Sequence, residues 1–188
     1  MAELVLFHHA QGLTPGVRAF ADDLRADGHV VHTPDLYEGR TFATLDDGVA
    51  HAQQIGFGTV LARGRAAVEQ LPERLVYAGF SLGVMPAQLL AQTRPGAAGA
   101  VLLHAAVPLG EFADEWPAGV PVQFHVMDAD DQGDVDVARE LAAAVDGAEL
   151  FLYPGERHLF TDRGLADHDA AAAAQVLDRV RAFLAAVG

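Results

Sequence analysis

Short apolar runs alternate with stretches of helical period along the whole chain, and a parallel sheet covered by helices is the layered arrangement that suits such alternation. The runs are Glu3 to His8, His29 to Thr33, Arg74 to Phe80, Ala98 to His104, Val122 to Met127 and Glu149 to Tyr153. Between them, Pro15 to Ala26, Thr59 to Gln70, Leu82 to Thr93, Val135 to Val145 and Asp167 to Val187 read as helices. Thr14 as N-cap and Pro15 at the first helical position start the first helix, and Gly28 closes it. No Gly/Ser linker, charge block or internal repeat divides the 188 residues, so residues 1–188 read as one α/β domain.

Two stretches fit neither period. Leu36 to Phe57 holds Tyr37, Arg40, Phe42 and Phe57, and Val107 to Gly119 carries the only tryptophan, Trp116. Both leave the carboxyl ends of strands, where α/β proteins place ligand contacts. Tyr37 and Trp116 are therefore candidate substrate-binding residues, and part of the first stretch is expected to lie as a loop over the site.

Composition narrows the partners. Only 12 Lys and Arg stand against 26 Asp and Glu, for a formal net charge of -14. A chain so acidic lacks the clustered cations that neutralise phosphates, which argues against nucleic acid and anionic membrane as partners. With no cysteine there is no thiolate nucleophile, disulfide or zinc-thiolate site. The Leu4-Val5-Leu6-Phe7 run is too short for a signal-peptide core and lacks a basic leader, so it reads as a buried strand and the expected location is cytoplasmic. A monomer or homodimer acting on a small molecule is the expectation.

The strongest local signal is Gly79-Phe80-Ser81-Leu82-Gly83, a G-x-S-x-G pattern directly after an apolar strand and directly before a helix. A sharp strand-to-helix turn lifts the serine oxygen above the sheet, and small residues two before and two after relieve crowding around its strained backbone. The helix N-terminus then offers free N–H groups to a developing oxyanion. A serine nucleophile needs a base, and the chain order for this arrangement is Ser, then Asp or Glu, then His. His158 lies on the loop leaving the last apolar strand, in the required order. For the acid, Asp128, Asp130, Asp131 and Asp134 compete after Val122 to Met127. Asp130 is preferred, because the acid in this turn sits three residues beyond the strand's last residue.

No metal site or cofactor is expected. Asp128, Asp130 and Gly133 fall at positions one, three and six of a calcium loop, but Gln132 and Arg139 stand where further ligands are required, and Arg139 cannot supply the bidentate carboxylate. His8 and His9 are adjacent and leave a strand on opposite faces, so they make no chelating pair.

The segments Phe7-His8-His9-Ala10-Gln11-Gly12 and Pro34-Asp35-Leu36-Tyr37, the GFSLG elbow and the His158 loop together resemble the dienelactone hydrolase family of α/β-hydrolases. The resemblance spans nearly the whole chain and implies hydrolysis of a small ester or lactone without a cofactor. It also implies an oxyanion hole built from the backbone N–H groups of Leu82 and Ala10. Arg40 is similar in placement to a basic residue that holds a substrate carboxylate, and His9 adjoins the Ala10 N–H. Well-known members carry Cys at the elbow and Glu where this chain has His9. The expected activity is thus that of a serine hydrolase forming an acyl-enzyme on Ser81, with thioester hydrolysis or a non-catalytic binding role on the same fold as alternatives.

Overall fold

Along the central strands, side chains leave alternately for opposite faces, and both faces are apolar, so the sheet must be covered on both sides. In the computed structural model, which describes every residue from Met1 to Gly188, six parallel strands form one sheet. They are β1 (Glu3–Phe7), β2 (Val30–His32), β3 (Leu75–Phe80), β4 (Ala97–Leu103), β5 (Val122–Met127) and β6 (Ala148–Tyr153), in the order β2-β1-β3-β4-β5-β6. Val5, Phe7, Tyr77, Leu102 and Phe124 point to one face, where they meet α2 (Leu45–Ile55), α3 (Phe57–Ala66), α4 (Val84–Thr93) and α5 (Val135–Ala144). Leu4, Leu6, Val76, Phe80 and Val101 point to the other, against α1 (Pro15–Ala26) and α6 (Ala170–Val187). The expected α/β-hydrolase architecture, a parallel sheet with helices on both faces, is the one observed.

The helix ends follow local chemistry. Thr14 caps α1 by accepting from the Val17 N–H. Asp27 ends that helix, and Gly28 follows it at φ +88°, where its N–H reaches the Arg25 carbonyl and the His29 N–H reaches Leu24. This is a left-handed helix stop that glycine adopts without strain.

The stretch Leu36 to Phe57 differs from expectation. Residues 36–44 are irregular, and they line no part of the cleft at Ser81, whereas Leu45–Ile55 is helical, with Thr44 as N-cap and Asp46 and Asp47 in the first turn. Helix α3 then runs from Phe57 to Ala66, earlier at both ends than the sequence pattern suggested.

Helices α3 and α4 meet where Gly64 faces the Pro86 ring, and a Cβ at residue 64 would stand 2.5 Å from the Pro86 Cβ. Gly58, in the same helix, faces open space. Gly64→Ala should therefore lower stability by about 1–2 kcal/mol, since a rigid ring cannot yield and overpacking outweighs the gain in helix propensity. Gly58→Ala should raise it by up to about 1 kcal/mol, because only the propensity gain operates there. Urea midpoints of the two variants check both signs.

Candidate active site

The carboxyl edge of the sheet is where the chain reverses most sharply. Ser81 follows β3 at φ +48°, in the left-handed region, and a 3-10 turn from Ser81 to Gly83 leads into α4. The glycines flanking this elbow are required by close approach. A Cβ at Gly79 would collide with the Gly83 carbonyl, and one at Gly83 with the carbonyls of Phe7 and His8 at the end of β1. The elbow is thereby wedged against the neighbouring strand.

Three side chains from three strand ends form one hydrogen-bonded row. Ser81 Oγ lies 2.7 Å from His158 Nε2, and His158 Nδ1 lies 2.7 Å from Asp130 Oδ2. A carboxylate only accepts, so Nδ1 carries the proton, Nε2 is the acceptor and the Ser81 hydroxyl donates to it. Asp130 and His158 are buried, whereas Ser81 is half-exposed. Of the competing carboxylates, Asp128 accepts from the Gly155 N–H, Asp131 is exposed, and Asp134 stands at the start of α5 at φ +50°. Ala129 N–H to Gly155 carbonyl and Asp128 N–H to Tyr153 carbonyl extend the β5–β6 pairing into the loops, so the segments carrying Asp130 and His158 are zipped together.

Residues His9 to Gly12 form a turn closed by the Gly12 N–H on the His9 carbonyl. The Ala10 N–H lies outside that bond and is given to no backbone carbonyl. Leu82 occupies the first turn after the elbow, where N–H groups have no intrahelical partner. A cleft of about 330 Å³ opens at Ser81, walled by Leu82, Met85, Val107 and Val137 with Glu111, Gln132 and Asp134 as its other polar residues. Burial raises the Asp134 carboxyl above its ordinary value, with Asp130 adding in the same direction and His158 opposing.

The other sequence candidates lie elsewhere. Tyr37 is buried in the core, with its ring edge-on to those of His8, Phe42 and His51, and burial pushes its hydroxyl up to about 12. Arg40 is exposed and lines no part of the Ser81 cleft. Both belong to the loop after β2, an edge strand separated from β3 by β1, so they stand one strand too far from Ser81. That loop and the start of α2 brace the Ala10 turn: Gln11 donates to the carbonyls of Phe42 and Ala43, and Gly48 of α2 packs on the Ala10 carbonyl. Trp116 donates to the Val120 carbonyl and lines a separate cleft with Leu109, Pro117 and Ala144. His9 is fully buried and turned away from the cleft, its Nε2 2.9 Å from the Asp162 carboxylate. Sequence reading passed over Asp162 and His104, although the Asp-Arg-Gly run at 162–164 carried a turn signal.

The sequence matches the Dienelactone hydrolase family over residues 2–188. The chain belongs to that family. Membership makes it a hydrolase acting on ester bonds. Solved structures share its fold. The dienelactone hydrolase of Anabaena variabilis is 18% identical, with a TM-score of 0.68 over 99% of this chain and 87% of that one. A dienelactone hydrolase-like promiscuous phosphotriesterase from metagenomic libraries, P91, is 19% identical, with a TM-score of 0.76 over 100% and 87%. The structure named m3DLH is 23% identical, with a TM-score of 0.80 over 99% and 86%. No curated protein matches the chain significantly. No helix is long and apolar enough to cross a membrane.

Three other histidines are held neutral by burial. His8 is lowered to about 4 and His125 to about 3, while His104 lies well below its ordinary value, with His158, His9 and His125 adding repulsion. Unfolded, each would titrate near 6.5. The unfolded chain thus binds more protons than the folded one below that pH, so this contribution to stability is complete above pH 6.5 and is lost as pH falls towards about 4. The urea midpoint should fall between pH 7 and pH 5, with net proton uptake on unfolding at pH 5. A flat midpoint across that window would contradict neutral, buried imidazoles.

Proposed function

We propose that this family member is a serine hydrolase that cleaves small carboxylic esters or lactones through an acyl-enzyme on Ser81. The observation that carries the reading is the unbroken row Asp130–His158–Ser81, with both links at 2.7 Å and the nucleophile on a left-handed elbow open to a cleft. In acylation, Ser81 Oγ attacks the substrate carbonyl carbon as its proton passes to His158 Nε2. The carbonyl oxygen becomes an oxyanion facing the N–H groups of Leu82 and Ala10, and Asp130 stabilises the imidazolium. Collapse breaks the ester C–O bond, and His158 returns the proton to the departing alkoxide. Water then attacks the acyl carbon, giving its proton to His158, and collapse breaks the bond from the acyl carbon to Ser81 Oγ while His158 returns that proton to Oγ, releasing the acid. A thioester would follow the same steps with a thiolate leaving.

Replacing Ser81 with Ala should reduce turnover of a p-nitrophenyl ester by about 10³-fold or more, and intact-mass spectrometry should detect an acyl adduct on the wild type alone. Folded protein without adduct and with Ser81→Ala turnover equal to wild type would refute the mechanism. Asp130→Asn should cost about 10³–10⁴-fold, because an amide favours the wrong His158 tautomer, and Asn at Asp128, Asp131 or Asp134 should cost far less.

The chemistry of the cleft bears on the substrate. Glu111 and Asp134 line it and no Lys or Arg does, so an acyl group carrying a carboxylate meets repulsion. Neutral acyl esters should exceed hemisuccinate esters in kcat/KM by about tenfold at low salt, and the gap should narrow as ionic strength rises. Arg40→Ala should leave that ratio unchanged. Preference for the hemisuccinate, abolished by Arg40→Ala, would restore a carboxylate clamp at Arg40.

A further inference from the structure

We propose that Asp162 is a positioning residue of this site: through the His9 imidazole, its buried carboxylate holds the turn that presents the Ala10 N–H to the oxyanion. The inference rests on the reading of Ser81 as nucleophile with an oxyanion hole at Leu82 and Ala10.

Both nitrogens of His9 are committed. Nδ1 accepts from the Gln11 N–H at 3.2 Å, so Nε2 carries the proton and donates to Asp162 Oδ2 at 2.9 Å. The ring therefore grips the turn on the far side of Ala10 from its own backbone, and the Gly12 N–H on the His9 carbonyl closes the loop around that residue. Asp162 in turn is fixed by three donors. Besides His9, the Thr14 hydroxyl donates to Oδ2 at 2.6 Å and the Gly164 N–H to Oδ1 at 2.8 Å. The site is cut to fit, since any side chain at Gly16 would occupy the place of the carboxylate. Burial raises the Asp162 carboxyl, but the bonds from His9, Thr14 and Gly164 outweigh it and leave the group below its ordinary value, hence ionised.

The placement gives this anchor a functional reach. Asp162 stands four residues after His158, and its neighbour Thr161 lies 2.6 Å from Nε2 of His104, whose ring is tilted beside that of His158 at 6.2 Å between centroids. The His104 Nδ1 has no partner, which is cheapest if it is the bare nitrogen, so Nε2–H donates to Thr161. Two consecutive residues thus fasten the base loop in different directions: Thr161 to the end of β4, and Asp162 to the oxyanion turn. Only the second sets the Ala10 N–H. An oxyanion donor works at about 2.7–3.1 Å from the developing charge, and a displacement of about 1 Å can cost about 10²-fold.

Two substitutions at His9 separate the link from the ring itself. His9→Asn keeps an oxygen near the Nδ1 position for the Gln11 N–H but falls short of Asp162, whereas His9→Gln places an amide N–H near the Nε2 position. Asp162→Asn and His9→Asn should each lower kcat on a neutral p-nitrophenyl ester by about 10- to 100-fold with KM within about twofold, and should weaken a boronic acid inhibitor in parallel. His9→Gln should recover turnover to within about fivefold of wild type. The double variant Asp162→Asn/His9→Asn should be no worse than either single one, whereas Thr161→Val should combine with His9→Asn additively. The acid limb of the kcat/KM profile should stay in place, because the His158–Asp130 pair is untouched. If Asp162→Asn fails to fold, the His9 pair alone decides. Folded His9→Asn with kcat within threefold of wild type, or equal losses in His9→Asn and His9→Gln, would overturn the proposal. Ser81→Ala run alongside distinguishes the two readings: full turnover there removes the nucleophile and the inference with it, while its loss beside an active His9→Asn removes the Asp162 link alone.

Discussion

The crowding around Ser81 governs the rest of the molecule. Between β3 and α4 the chain reverses within three residues, and it does so with Ser81 in a backbone region that costs an L-residue about 1–3 kcal/mol. The cost is sustained because both neighbours of the turn are glycines pressed against backbone: Gly79 on Gly83, and Gly83 on the end of β1. The wedge lets the end of β1, the end of β3 and the start of α4 fit together in one way. Everything that acts on Ser81 is referred to that frame, and the turn His9–Gly12 begins where Gly83 touches β1.

Charge is distributed with equal economy. The chain is strongly anionic as a whole, yet the ionised groups inside it are few and each is fully engaged. Asp130 faces His158 and accepts from the Gln132 N–H, and Asp162 accepts from three donors. The buried histidines around them carry no charge, because an imidazolium at His104 or His125 would have no water and no carboxylate to meet it. At the cleft, by contrast, the carboxylates of Glu111 and Asp134 are exposed.

Local chemistry was legible in the sequence, and lateral position was not. The six apolar runs became six strands within a few residues, since burial on both faces demands continuous apolarity. Gly79 and Gly83 announced the elbow because no other residue fits beside backbone oxygens at van der Waals range. Helix α2 was missed because its buried face is made of Gly48, His51 and Ala52 rather than large apolar residues, although Thr44, Asp47 and Gly56 marked its ends. Tyr37 and Arg40 were misplaced for a different reason. Both follow a strand at the ligand-bearing edge, but strand order is a property of the sheet, and β2 lies outside β1. Asp162 escaped notice because its partners, His9 and Thr14, are 153 and 148 positions away, and no local pattern signals such a bond.

That separation also bears on when the site comes into being. Ser81 and His158 are 77 positions apart, while the link from His9 to Asp162 spans most of the chain. Closing a long loop costs only about 0.6 kcal/mol more for each doubling of its length, so the bond is no weaker for its span, but it belongs to the non-local contacts that slow folding. On the ribosome the first strand and its turn emerge well before the segment that anchors them. The turn at Ala10, braced early by Phe42, Ala43 and Gly48, therefore lacks its carboxylate anchor until residue 162 arrives, and the anchor closes only when that segment reaches the top of the sheet.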